Sequence, residues 1–193
     1  MRKFLSVLCL ALGIATINLH AQEESEGETS RKFPFTHTFG ICFSSISGSG
    51  VFYKYAITPN YHVKAAGFTY STEVSSDNGN GNEKLSYYNV GLEFQRSLYV
   101  ARTSRFYAMV GVNYGTLAAE FDAQSSSEEI NSLQYGLGVG FEGVSWKHFS
   151  WNVDLGYSRT HRDAVIKGSY YDSGTTNMLS TGIGFGVGLG YTF

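Results

Sequence analysis

The chain has 193 residues, with 14 Lys and Arg against 16 Asp and Glu, for a net charge of −2. That length can bury one core, and the balanced charge excludes the basic footprint of a nucleic-acid protein. Charged residues make up only 16% beside 16% aromatics, 23 Gly and 2 Cys, which excludes a disordered chain and a disulfide scaffold and points to a β-protein outside water.

Arg2 and Lys3 precede residues 4–19, an apolar stretch without charge, and small Ala21 follows as the residue before a cut, with a second cut site after Ala15. At 16 residues, interrupted by Gly13 and Asn18, the stretch is shorter than the ~20 residues of a membrane helix. It reads as a cleaved secretory signal over 1–21. Its loss removes two bases and no acid, taking the net charge from −2 to −4 and leaving Cys42 as a single thiol. Residues 22–34 are polar, acidic at their start, and form a short leader.

From Phe35 onward the period is two. Phe39, Ile41 and Phe43 alternate with Gly40, Cys42 and Ser44. Residues 51–57 and 61–72 follow with less clean faces. Then Tyr88, Val90, Leu92 and Phe94 oppose Asn89, Gly91, Glu93 and Gln95, and Ala108, Val110, Val112 and Tyr114 oppose Met109, Gly111, Asn113 and Gly115. Leu133, Tyr135, Leu137, Val139 and Phe141 face away from Gln134, Gly136, Gly138, Gly140 and Glu142. Trp151, Val153, Leu155 and Tyr157 oppose Asn152, Asp154, Gly156 and Ser158. Last, Ile183 to Phe193 place a large apolar residue at every odd position and glycine at every even one from Gly182 to Gly190. Five glycines there would cost a helix about 1 kcal/mol each, so the segment is a strand. These are eight strands.

Short links around Thr58-Pro59-Asn60, 101–105 and 144–148 alternate with longer polar stretches at 73–84, 122–132 and 159–177, while Ser47-Gly48-Ser49-Gly50 is a short link on the long-loop side. Short turns on one side and long loops on the other are the pattern of transmembrane barrels. A soluble lipocalin-like binder has the same strand count with its apolar face turned inward. Glycine decides between them: an inward apolar face would leave the glycines coating the outside. With the apolar face in lipid, they line a narrow lumen and make room for Phe52, Tyr87 and Tyr107. The inward faces collect a polar network of Lys54, Asn89, Glu93, Glu142 and Asp154, with Asn113, Gln134 and Asn152. Tyr99, Phe106, Trp146, Trp151 and Tyr191 suit interfacial girdles. The expected fold is all-β, an eight-stranded antiparallel up-and-down transmembrane β-barrel over 35–193.

The terminal Gly186-Val187-Gly188-Leu189-Gly190-Tyr191-Thr192-Phe193 resembles the closing strand of bacterial outer-membrane barrels. In those proteins a final aromatic with apolar residues at alternate positions is read by the barrel assembly machinery, and Val187, Leu189, Tyr191 and Phe193 match that pattern. Over about 35–193 the chain is similar to the small bacterial outer-membrane β-barrel (porin-like, eight-stranded) family. The resemblance implies a Gram-negative cell envelope, lipid around the barrel, the assembly machinery as partner during insertion, and a monomer. It implies little about activity, because the fold hosts structural proteins, adhesins and a few lipid-modifying enzymes.

An eight-stranded barrel is barely wide enough for its own side chains. The inward charges read as three acids to one base, Glu93, Glu142 and Asp154 against Lys54, so the alternative to an internal network is a narrow cation-preferring channel. Ser158-Arg159-Thr160-His161-Arg162-Asp163 is the one enzyme candidate, a histidine and an acid near serines in a loop. Nothing there marks a nucleophile, and no lipid-modifying family's motif is present. Arg159, Arg162 and Lys167 could instead meet lipid phosphates. His37, His62 and His148 stand singly near strand ends without metal-ligand spacing. Asp77-Asn78-Gly79-Asn80-Gly81-Asn82 lacks the closing acid of a calcium loop. Cys42 falls on the inward face as a small buried residue. No catalytic residue, cofactor or metal is expected, nor any nucleic-acid partner. The expected role is structural support of the outer membrane or contact with a surface ligand through the outer loops.

Overall fold

The computed structural model describes residues 36–75, 82–121, 126–145, 148–167 and 174–193. The signal (1–21), the leader (22–34), Trp146 and positions 77–81 of the Asn-Gly run lie outside the described residues. Eight strands follow in order: β1 His37–Ser44, β2 Gly50–Thr58, β3 Tyr61–Ser75, β4 Asn82–Val100, β5 Ser104–Phe121, β6 Ser126–Ser145, β7 Phe149–Lys167 and β8 Gly174–Thr192. Each pairs antiparallel with its neighbours, and β1 pairs with β8 to close the ring.

Burial settles which face is outside. Among the described residues the buried apolar side chains are few: Ile46, Phe52, Ala66, Tyr107 and Met109. The buried polar set is far longer and includes Lys54, Lys64, Glu93, Arg105, Glu142 and Asp154. Phe39, Ile41, Leu92, Leu137, Leu155, Phe185 and Leu189 are exposed. A water-soluble barrel would reverse this arrangement; a hydrocarbon solvent requires it.

Aromatic rings mark both edges of the apolar band. Phe141 and Trp151 meet at 5.5 Å near the turn end, and Tyr88 and Tyr114 at 6.1 Å at the other. From Phe106 to Tyr114 on β5 the chain climbs eight residues, about 21 Å at ~3.4 Å per residue and a ~40° tilt, close to the ~25 Å apolar band of such barrels.

Beyond the upper tyrosines the strands continue. The stretches 73–84, 122–132 and 159–177, expected as loops, are strand wherever they are described: β3 and β4 pair out to Ser75↔Asn82, and β6 and β7 out to Ser127↔Lys167. Their side-chain pattern inverts there. Below the tyrosines β4 turns Val90 and Leu92 outward and Asn89 and Glu93 inward. Above them, the same alternation turns Lys84 and Ser86 outward and Leu85 and Tyr87 inward. On β5 and β6 it turns Leu117 and Ile130 inward against Thr116 and Asn131. The strand leaves lipid and enters water, so the polar face moves to the convex side. Tyr87 therefore stands on this upper sheet, half-buried, rather than in the packed lumen.

Two strands do not make the climb. β1 has 8 residues and β2 has 9, whereas β3 to β8 have 15 to 20. β2 pairs with β3 no further than Val51↔Gly67, and β1 with β8 no further than Ser44↔Gly186. Above that level the wall is a six-stranded sheet bounded by β3 and β8.

Candidate functional site

Three features determine what this barrel can do: the lower lumen, the turn joining β1 to β2, and the sheet above the tyrosines.

The lower lumen is filled by a charged network. Lys54 on β2 donates to Glu142 on β6, and Arg105 Nε on β5 reaches the other carboxylate oxygen at 2.6 Å. The Arg105 guanidinium also lies 3.0 Å from His62 Nδ1, donates to Gln95, and stacks 4.5 Å over the Tyr107 ring. Lys64 pairs with Glu93 at 2.6 Å across the β3–β4 register. Tyr107 donates its hydroxyl to Asp154, which also accepts from Asn152 Nδ2 at 2.9 Å. The ionised partners are all within a few per cent of complete burial, so each depends on its counter-charge.

The structure thus joins Lys54, Glu93, Glu142 and Asp154 in one lumen network, because Gln95 accepts from Arg105 and donates to Glu93 and Tyr107 lies between Arg105 and Asp154, with Asn89 higher, against the β1–β2 turn. Among the described residues the buried charge is three acids against three bases rather than against one, because Lys64 and Arg105 also point inward. Lys64 lies in a stretch whose faces were blurred by Val63, Ala65 and Ala66. Arg105 stands where a turn was expected, but β5 begins at Ser104. The excess of inward acid that favoured a cation path is absent.

The β1–β2 turn, expected as an outer link, folds down into the lumen instead. Ile46 and Ser47 are completely buried. Ser45 N donates to Phe185 O at 3.0 Å, and Phe185 N returns a bond to Ser45 Oγ at 2.9 Å. Gln134 donates to Ser45 O, Ser47 Oγ donates to Glu93, and Ser49 N donates to Asn89 Oδ1 at 3.1 Å. The chain reverses through Gly48 and Gly50, with φ of +92° and +123°, values L side chains rarely adopt.

The turn has a seat made of glycine. A Cβ on Gly111 would stand 2.9 Å from Ser47 Cβ; on Gly136, 3.1 Å from Ile46 Cγ2; on Gly156, 3.0 Å from Ile46 Cδ1; and on Gly184, 2.7 Å from Ile46 Cγ1. Four consecutive strands thus give up their side chains around one isoleucine. Lower down, Gly190 lies against the Phe52 ring and Gly140 against Tyr107. Side chains therefore fill the lumen at two levels.

The other singled-out residues do not converge. His161 and Asp163 form an ion pair at 3.3 Å, both about half exposed, on strand β7 rather than in a loop. The direct cross-strand neighbours of His161 are Leu133 and Leu179, neither of which carries a hydroxyl. Arg159 and Arg162 are an odd number of positions apart in one strand and face opposite sides; the side chain of Lys167 falls outside the described residues. His37 lies 2.6 Å from the Tyr53 hydroxyl, His62 is within the lumen, and His148 Nδ1 lies 2.8 Å from Thr192 O. Cys42 is half-buried, with Sγ 3.8 Å from Gly48 O. Among the described residues no group of three or more His, Cys, Asp or Glu could hold a metal ion.

The family model of the outer membrane protein beta-barrel domain matches residues 7–193, and the chain belongs to that family. Its place is the bacterial outer membrane. The fold is similar to that of Ail, the attachment invasion locus protein of Yersinia pestis, at 16% identity and a TM-score of 0.41, over 82% of this chain and 97% of that one. It is similar also to Acinetobacter baumannii CarO, at 14% identity and a TM-score of 0.38, over 83% of this chain and 98% of that one. No curated protein matches the sequence.

Proposed function

We propose that this outer-membrane barrel is sealed, non-conducting and non-catalytic, and that its work is surface contact made by the six-stranded sheet raised above the membrane. One observation carries the reading: Ile46 and the buried ion pairs fill the lumen, while β3 to β8 continue beyond the tyrosine girdle. A structure closed inside and extended outside is suited to display rather than transport. The charged residues Lys54, Glu93, Glu142 and Asp154, with Asn89, act as the internal scaffold that keeps the barrel shut. Val187, Leu189 and Tyr191 on the exposed face of β8, with exposed Phe193 just past its end, serve as the signal for the assembly machinery. Residues 1–21 direct export, 22–34 form a periplasmic leader, and the protein works as a monomer in outer-membrane lipid.

The test is topological. In a Cys42→Ser background, a cysteine at Thr175 should react with a membrane-impermeant maleimide on intact cells. One at Asn60, in the β2–β3 turn, should react only after permeabilisation. Equal reactivity of the two, or the reverse order, contradicts the display reading.

A further inference from the structure

Among the described residues, β8 runs on past the end of its pairing with β1 at Ser44↔Gly186. Phe193 exchanges backbone hydrogen bonds with His37 at 3.0 and 2.9 Å, and Phe185 N and O both meet Ser45, so the odd-numbered residues of β8 turn their N–H and C=O toward β1. Thr192 N donates instead to His148 O, so the even-numbered ones turn toward β7. Continuing upward by twos, Ile183, Thr181, Leu179, Asn177 and Thr175 present their backbone groups to the side where β1 has ended. Among the described residues no strand pairs there.

Strand edges in soluble proteins are guarded by lysine, proline, bulges or a covering element. From Thr175 to Ile183 the edge has no charge and no proline, its register to β7 is uninterrupted, and every side chain is exposed. The opposite edge of the gap, β3 beyond Gly67, exposes Phe68 and Tyr70. The free edge also continues the seam on which β1 is already seated, so an added strand would extend an existing ladder.

We infer that the β8 edge from Thr175 to Ile183 is a strand-addition site for an extended, uncharged segment of a partner polypeptide. Backbone bonding supplies the attachment. Selection comes from the alternation above the girdle: partner residues turning inward join Met178 on the concave face that also carries Leu85, Leu117 and Ile130. Residues turning outward lie beside Leu179 and Thr181. This rests on the surface-contact reading and names its partner; that reading stands or falls by maleimide topology, independently of any peptide.

The experiment is residue-resolved amide exchange on the barrel in lipid nanodiscs, with and without a synthetic peptide of about nine alternating Thr and Val residues. Without peptide, the amides of Asn177, Leu179 and Thr181 exchange fast and those of Met178 and Ser180 slowly. With peptide, the odd-numbered amides slow by roughly tenfold or more. Leu179→Pro removes an edge donor without touching the β7 ladder, and should abolish that slowing at its neighbours while the even-numbered amides stay protected. Odd-numbered amides that are slow from the outset, that stay fast with peptide, or that slow equally with the even-numbered ones would overturn the assignment.

Discussion

Ile46 lies where a side chain of Gly184 would be: a Cβ on that glycine would come within 2.7 Å of Ile46 Cγ1. The lumen has room for one of the two, and the turn between β1 and β2 occupies it. Gly184→Val should therefore displace the turn or strain the wall, at a cost of about 1–3 kcal/mol. The measure is denaturant unfolding in lipid vesicles, and the companion Ile46→Ala, Gly184→Ala should recover part of the loss. A fully tolerated valine would mean that the turn does not rest there.

Removing one member of a buried ion pair leaves the other uncompensated. Glu93→Leu strands Lys64 and should destabilise the barrel by about 3–5 kcal/mol, whereas Glu93→Leu with Lys64→Met should lose much less. Additive losses in the double-mutant cycle would mean that the two residues contribute independently.

At the seam, Phe193 pairs through its backbone with His37 and stacks on the imidazole with ring centroids 5.4 Å apart. Phe193→Ala keeps the backbone bonds. It should refold in detergent almost as well as the parent while accumulating far less in the outer membrane of cells. Equal losses in both settings would make Phe193 a seam residue and no assembly signal.

The strands and their lipid side were legible because the membrane imposes a strict contrast. Where Val187, Leu189 and Tyr191 must meet hydrocarbon, glycine or a polar group takes each position between, and a one-residue slip would bury the wrong set. Above Tyr88 and Tyr114 the alternation inverts, with Leu85, Leu117 and Ile130 inward among polar residues, and a sequence pattern that changes sign there looks like a polar loop rather than a continued strand. Arg105 carries no such signal either: it stands one residue into a strand whose apolar pattern starts only at Phe106. The glycines on the inward face are plain in the sequence, which points to large inward side chains as their occupants. Phe52 and Tyr107 do lie against Gly190 and Gly140, but the upper glycines receive Ile46. A Ser-Gly turn has the same sequence whether it points out to solvent or down into a lumen.

Opening the upper closure should not open a pore. Ile46→Gly removes the side chain seated on the glycines, yet Arg105, Glu142, Tyr107 and Asp154 still fill the level below. The variant should be less stable than the parent and equally silent in a planar bilayer. Conductance appearing on this single change would make the turn a gate.

The most direct test of a sealed barrel is single-channel recording of the purified full-length protein reconstituted in a planar bilayer. The account predicts a flat baseline at every applied potential, with heat-shifted gel mobility confirming that folded barrel was present. Discrete, reproducible current steps from folded protein would contradict it and return the cation channel as the working description.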